Sequence, residues 1–388
     1  MLAKVRINFE MMITCFFSVM KRSVKLIIIH LTSLSITFSL LSQAEEFKLN
    51  DIQMIGSHNS YKKSLNTEIL ALIAKQDAKK AAQINYSHPS LIKQLTIGLR
   101  HLEIDIVKDP EGGKFAYPVG EKLTQQVILT SAEREELNLP GFKVLHIPDV
   151  DFSSHCVLFQ KCLDQLIQFS NEHPNHLPIV ILMNLKESRT KLVDATPVLP
   201  FTAEDYDELD NVLLTAFKDK LITPNEIKGQ YTTLEQAVLE NGWPPIDKTR
   251  GRFLFILDGK SHQLNTYRND HLSLKDRALF ASYPEGEPEA ALMIRNNPVT
   301  SLEEIKRLVD KGYLVRTRAD SGAGSMSKTA DVKLRTEQAF ESGAQIISTD
   351  FYLGAPQVLP YDFVVGFKHG MLYRCNHKVR KEKCELAD

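Results

Sequence analysis

The chain of 388 residues is 43% hydrophobic and 24% charged, which suits a large buried core and excludes a disordered chain. Its formal charge of −1 moves to about −5 if residues 1–44 are removed, because that segment carries Lys4, Arg6, Lys21, Arg22 and Lys25 against Glu10. A mildly acidic protein has no field for gathering nucleic acid or anionic lipid over its whole surface, so any phosphate it handles must be held locally.

In chain order, Met20-Lys21-Arg22 opens a basic segment, "VKLIIIHLTSLSITFSLL" is an apolar run, and Ser42-Gln43-Ala44 is a small-x-small cleavage site. Residues 1–44 therefore read as a signal peptide, with Met20 as an alternative start and a membrane anchor as the competing reading. Export, to the periplasm or beyond the cell, is the expectation. After Cys15 is lost, four cysteines remain in two close pairs, Cys156 with Cys162 and Cys375 with Cys384. Export and an even count favour two local disulfides over a zinc site, which needs tighter paired spacing.

From residue 45 onward, short β-branched runs alternate with amphipathic stretches. Strands are predicted at 51–57, 100–106, 143–147, 178–185, 252–257, 290–294, 313–317 and 345–349, and helices at 154–171, 203–219, 232–240, 301–311 and 329–341. Thr300-Ser301 reads as a capped helix start, and Gly312 and Gly343 as helix stops. Eight strands alternating with helices predict a distorted (β/α)8 TIM-type barrel over residues 45–362, with an open doubly wound sheet as the alternative. No glycine-rich loop opens any of these helices, which counts against the nucleotide-binding open sheet. Residues 107–142 exceed a plain connection and are expected over the barrel mouth, and residues 363–388 are expected as a tail stapled by Cys375–Cys384.

The C-terminal strand ends of such a barrel share one mouth, where reactive groups collect. The first ends in His58-Asn59, and the second carries Glu103-x-Asp105 on one face. The third ends in His146, the fourth in Asn184-Leu185-Lys186, and the seventh carries Arg316 and Arg318. Each residue alone has a bland structural explanation, but five strand ends carrying such groups point to a site. Asn59, Glu103 and Asp105 offer only oxygen, which suits Ca2+ or Mg2+. Histidines titrating near neutrality serve as general acid and base, and a hard cation beside them fits attack at a phosphodiester. Asp149 and Asp151 stand close enough to orient His146 or to be loop carboxylates. Lys186 and Arg316 read as phosphate-binding cations or structural ion pairs, and Tyr352 as a residue able to stack on a sugar ring.

At these residues the sequence resembles the bacterial calcium-dependent phosphoinositide phospholipase C family, within the PLC-like phosphodiesterase superfamily. The resemblance is carried, in order, by "GSHNSY", "HLEIDI", "GFKVLHIPDVDF", "HLPIVILMNLKES", "LITPNEIKG", "NGWPPIDKTRGRFLFILDGK", "GYLVRTRADS", "SGAQIISTDFY" and "RCN", over about residues 50–378. It implies a distorted (β/α)8 barrel; Asn59, Glu103 and Asp105 as Ca2+ ligands; His58 and His146 as the two histidines; and Glu103 also as a base on the inositol 2-hydroxyl. The implied reaction is cleavage of the glycerol–phosphate bond of a phosphoinositide at a membrane surface, giving diacylglycerol and a cyclic inositol phosphate. No protein partner is implied. The superfamily's strand-four Glu-x-Lys reads Asn184-Leu185-Lys186 here, so Asn184 would ligate through an amide oxygen and one negative charge is missing. The rivals are a glycerophosphodiester phosphodiesterase, against which Asn59 speaks, and a non-catalytic lipid- or phosphate-binding barrel, against which both retained histidines speak.

Overall fold

In the computed structural model the described residues are 46–322, 329–379 and 386, and the elements below lie in the unit Phe47–Asp388. The signal-peptide reading of residues 1–44 falls outside the described residues, as does Cys384 of the expected second disulfide. Among the described residues no helix is long and apolar enough to cross a membrane.

Among the described residues ten strands form: β1 (Ile52–Ser57), β2 (His101–Asp109), β3 (Gly141–Lys143), β4 (Ile179–Leu185), β5 (Phe253–Asp258), β6 (Phe280–Ala281), β7 (Leu292–Ile294), β8 (Leu314–Arg318), β9 (Ile346–Thr349) and β10 (Tyr373–Cys375). Eight pair in parallel in the order β6-β5-β4-β2-β1-β9-β8-β7, and a bridge between Ser282 and Leu292 joins the two ends. The result is a nearly closed (β/α)8 barrel. Helices on its outside and side chains on its inside bury both faces of each strand, which is why "IVILMNL" is a continuous apolar run rather than an alternation.

Two expectations fail here. Residues 143–147 are not a barrel strand: β3 stops at Lys143 and pairs antiparallel with the far end of β2, Val107 opposite Lys143 and Asp109 opposite Gly141. The barrel strand that replaces it is the two-residue β6, too short to carry a periodic signal. The helix Leu302–Lys311 begins with Ser301 at its N-cap position, but the Ser301 side chain makes no capping bond; Gly312, at φ +105°, ends the helix as expected.

The distortion has a local cause. β1 and β2 pair only at Gly56 and His101, where a Cβ on residue 56 would lie 2.1 Å from the His101 carbonyl oxygen. The first half of β1 pairs instead with β10, Ile52 opposite Cys375 and Met54 opposite Tyr373. The segment after residue 362 is thus part of the wall: Phe363, Val365, Phe367 and Leu372 are buried with Ile55, Ile347 and Phe351. A disulfide joins Cys156 and Cys162 at the start of the helix Phe159–Glu172, as the spacing suggested.

Candidate active site

The chain leaves β1 at Ser57 and turns sharply, with Asn59 at φ +48°, a left-handed conformation that asparagine tolerates better than most residues. Ser60 ties this turn to β2: its N–H donates to the Glu103 carbonyl at 2.9 Å, and its Oγ accepts from the Glu103 N–H at 2.8 Å. The pairing that β1 and β2 lack as strands is recovered by this serine, and it brings His58-Asn59 beside Glu103.

His58 is held between two carboxylates. Its Nδ1 lies 3.3 Å from Asp350 Oδ1, at the end of β9, and its Nε2 3.8 Å from Glu103 Oε1. Burial and the neighbouring Arg318 lower its pKa below 6.5 against the opposing pull of Glu103 and Asp350, so the imidazole is neutral at pH 7. Burial works against the charge on Asp350, yet His58, His88 and Arg318 hold its carboxyl well below the usual range.

His146 has a parallel arrangement. It sits in the tight loop after β3, not at a barrel strand end, and Nδ1 meets Asp151 Oδ2 at 2.7 Å. The same carboxylate oxygen receives the fully buried Lys62 ammonium at 3.1 Å. Asp149, the other acid considered, instead binds the backbone N–H groups of Val119 and Thr196. Tyr86 lies between the two imidazoles, its ring centroid 5.6 Å from that of His58 and 6.4 Å from that of His146. Its hydroxyl accepts from Asn59 Nδ2 at 2.6 Å.

The oxygen set is half engaged. Glu103 Oε2 pairs with Arg316 at 2.7 Å; Asp105 Oδ2 takes Lys186 at 2.8 Å and the Tyr61 hydroxyl at 2.9 Å. Among the described residues, Asn59 Oδ1 and Asp105 Oδ1 are buried without any hydrogen-bond partner. Among the described residues no three His, Cys, Asp or Glu side chains form a ready metal cage, so the set depends on the Asn59 carboxamide. Two orphaned buried oxygens beside a glutamate, all hard donors, fit a Ca2+ or Mg2+ ion.

Asn184 is in register with Asp105 on one side and with Asp258, at the end of β5, on the other. Burial raises the Asp258 pKa, and Asp105 adds to this while Arg316 and Lys186 oppose it. Burial disfavours the charge on Lys186, but Asp105, with Glu103 and Asp258 behind it, more than offsets this and raises its pKa. Arg316 is buried on Glu103 and also donates to Asn296 Oδ1, so its expected role toward phosphate gives way to an internal ion pair. Tyr352 departs further: it is fully buried, stacked on His88 with its hydroxyl 3.0 Å from Nδ1, and it is not free to stack on a sugar.

A cavity of about 790 Å³ reaches the site at His146, Asn184, Lys186 and Asp258. Its opposite wall is the pair of helices Thr67–Gln76 and Ala78–Ile84, through Ile73, Lys80 and Ile84, and not residues 107–142 as expected. That insertion packs around Phe115, Leu129 and Leu137, against Ile69 from behind. Sequence reasoning missed Tyr86, Asp258 and Lys62, and it gave Asp350 no part in the site. Only Asp258 and Asp350 carried a signal, as polar residues ending strands.

A family model described as phosphoinositide phospholipase C, Ca2+-dependent, matches residues 47–377. No curated protein matches the sequence. Among solved structures, a calcium-dependent phosphoinositol-specific phospholipase C from the Gram-negative bacterium Pseudomonas sp, apo form, is similar at TM-score 0.50 and 14% identity, covering 85% of this chain and 95% of that one. Its myo-inositol complex is similar at 0.50 and 15%, covering 85% and 96%. A Ca2+-dependent phosphatidylinositol-specific phospholipase C from Streptomyces antibioticus gives 0.49 and 15%, covering 81% and 97%. At such identities the Pseudomonas structures show a shared barrel fold.

Proposed function

The chain therefore belongs to the Ca2+-dependent phosphoinositide phospholipase C family, a family of phosphodiesterase enzymes, and from that membership we propose that it cleaves the glycerol–phosphate ester of phosphoinositide lipids. The observation that carries the reading is the pair of imidazoles flanking Tyr86, each with Nδ1 turned to a carboxylate: His146 hydrogen-bonded to Asp151 at 2.7 Å, and His58 3.3 Å from Asp350. A carboxylate on Nδ1 fixes the proton there and leaves Nε2 for the substrate.

In the proposed reaction the inositol 2-hydroxyl oxygen attacks phosphorus while the phosphorus–oxygen bond to glycerol breaks. The hydroxyl proton passes to neutral His58 at Nε2, with Glu103 Oε1 beside it as a second acceptor. His146 acts in its doubly protonated form: with Nδ1–H held on Asp151, it delivers its second proton from Nε2 to the departing glycerol oxygen and is left as the neutral imidazole, giving diacylglycerol and a cyclic inositol phosphate. Attack by a hydroxyl already tethered beside phosphorus lowers the entropic part of the barrier. Asn59, Glu103 and Asp105 would hold Ca2+, which when bound supplies positive charge for a phosphoryl oxygen and acidifies a nearby hydroxyl. Lys186 adds a cation at the cavity floor.

We further propose that the substrate is met at a membrane surface. Val193, Leu353, Leu359 and Tyr361, all exposed, lie on the segments that follow β4 and β9 at the mouth end of the barrel. Export is supported by the Cys156–Cys162 disulfide, a bond that persists in oxidising compartments.

Vesicles of phosphatidylinositol and a panel of other headgroups, assayed with Ca2+, Mg2+ and chelator, test the reading. Release of a water-soluble inositol phosphate that stops with chelator is expected. Release of glycerol 3-phosphate from glycerophosphodiesters would move the protein to the rival chemistry, and binding without turnover would make it a lipid-binding barrel.

A further inference from the structure

Three adjacent strands carry polar side chains at one level. Asp105 on β2 is in register with Asn184 on β4, and Asn184 with Asp258 on β5, so the three share one face of the sheet. Two of the carboxylates at this end are already matched in charge: Glu103 by Arg316 and Asp105 by Lys186. Asp258 has no ion pair or hydrogen bond among the described residues, although it lines the cavity beside Lys186 and feels the charges of Asp105, Arg316 and Lys186. The fully buried Asp105 keeps one oxygen without a partner, as does Asn59.

Affinity for a hard divalent ion follows the number of negative charges around it, and an oxygen set neutralised by its own cations holds such an ion weakly. Among Glu103, Asp105 and Asp258, two anions are offset by Arg316 and Lys186 and the surplus charge is that of Asp258; Asp350 and Asp320 stand apart on Arg318, with His58 against Asp350. We propose that Asp258 supplies the net negative charge of the divalent-cation site, taking over from β5 the part that a carboxamide at Asn184 does not play on β4. It stands at the rim of the site with Asn184 between it and Asp105. The inference rests on the reading of Asn59, Glu103 and Asp105 as the cation-binding oxygens.

Calorimetric titration with CaCl2 at low ionic strength tests it on the wild type, Asp258→Asn, Asn184→Asp and the double variant Asp258→Asn/Asn184→Asp, with Asp105→Asn as control. Thermal melts in chelator establish that each is folded. Asp258→Asn is expected to weaken Ca2+ binding about tenfold or more, and Asn184→Asp to restore it in that background by moving the charge one strand inward. If Asp105→Asn abolishes binding while Asp258→Asn leaves it unchanged, the assignment of Asp258 is overturned and the cation reading stands. Weakened myo-inositol binding in that variant would then make Asp258 a headgroup acceptor. If Asp258→Asn does not fold, Asn184→Asp alone decides: tighter Ca2+ binding supports a charge-limited site, and unchanged binding overturns it. A wild type that takes up no Ca2+ overturns both readings.

Discussion

Asp151 holds His146 at 2.7 Å through Nδ1 and, on the same carboxylate oxygen, the buried ammonium of Lys62 at 3.1 Å. One anion thus anchors an imidazole and is itself anchored by a cation that has no solvent to escape to. Asp151→Asn preserves the shape of the side chain but removes the charge that sets the His146 proton on Nδ1. The expected loss in kcat is about 10²–10⁴-fold with KM little changed, and the pH–rate profile should shift as well. A structural role alone would lower thermal stability and leave the profile in place.

His58 is expected to govern the acid side of that profile. Burial and Arg318 lower its pKa, so the neutral, proton-accepting form persists below pH 6.5 and is lost only at lower pH. The acid limb of kcat/KM should have its midpoint below 6.5 and should vanish, with about 10²–10⁴-fold of the rate, in His58→Ala. A midpoint above 6.5 would contradict the role of His58 as base.

His101 should make the fold sensitive to acid. It is buried inside the barrel, where burial and the nearby Arg316 push its pKa down to about 3, from 6.5. The unfolded chain takes up this proton first, so the contribution is intact above pH 6.5 and is lost as pH falls from 6.5 to about 3. Denaturant titrations should show stability falling by up to about 1.4 kcal/mol per pH unit from this group within that window. His101→Gln should flatten the dependence there.

Gly56 is where the barrel tolerates no side chain. A Cβ would meet the His101 carbonyl oxygen, a backbone atom that cannot step aside without moving β2. Gly56→Ala is expected to cost about 3 kcal/mol, read as a lowered melting temperature, and to reduce activity by displacing Glu103 from His58. A melting temperature within a degree of wild type would refute this.

Much of this architecture is legible in the chain because parallel strands buried on both faces read as unbroken apolar runs, as in "IVILMNL", and because Glu103-x-Asp105 can share a face only on a strand. His58, Asn59, Glu103 and Asp105 could be found that way. What stayed hidden depends on distance in sequence. The two residues of β6 carry no period, and β3 looked like a barrel strand because local pattern does not encode antiparallel pairing. Tyr86 follows a helix of seven residues whose face against the site cannot be seen until β1 and β2 are in place. Tyr352 was misjudged for the opposite reason: it ends a strand run, but His88, far away in the chain, covers it.

The strand β10 has a consequence for how the molecule is made. Gln53 accepts from the guanidinium of Arg374, 321 residues later, and the first half of β1 has β10 as its antiparallel neighbour. The strand that presents His58 cannot acquire its final neighbours while a nascent chain is still short of Arg374. Completion of the catalytic end must then come late and depend on a long loop closure, a slow step during which open strand edges invite wrong partners. A protein built this way gains from remaining unfolded until its whole length is available, a state that transport through a narrow pore also demands.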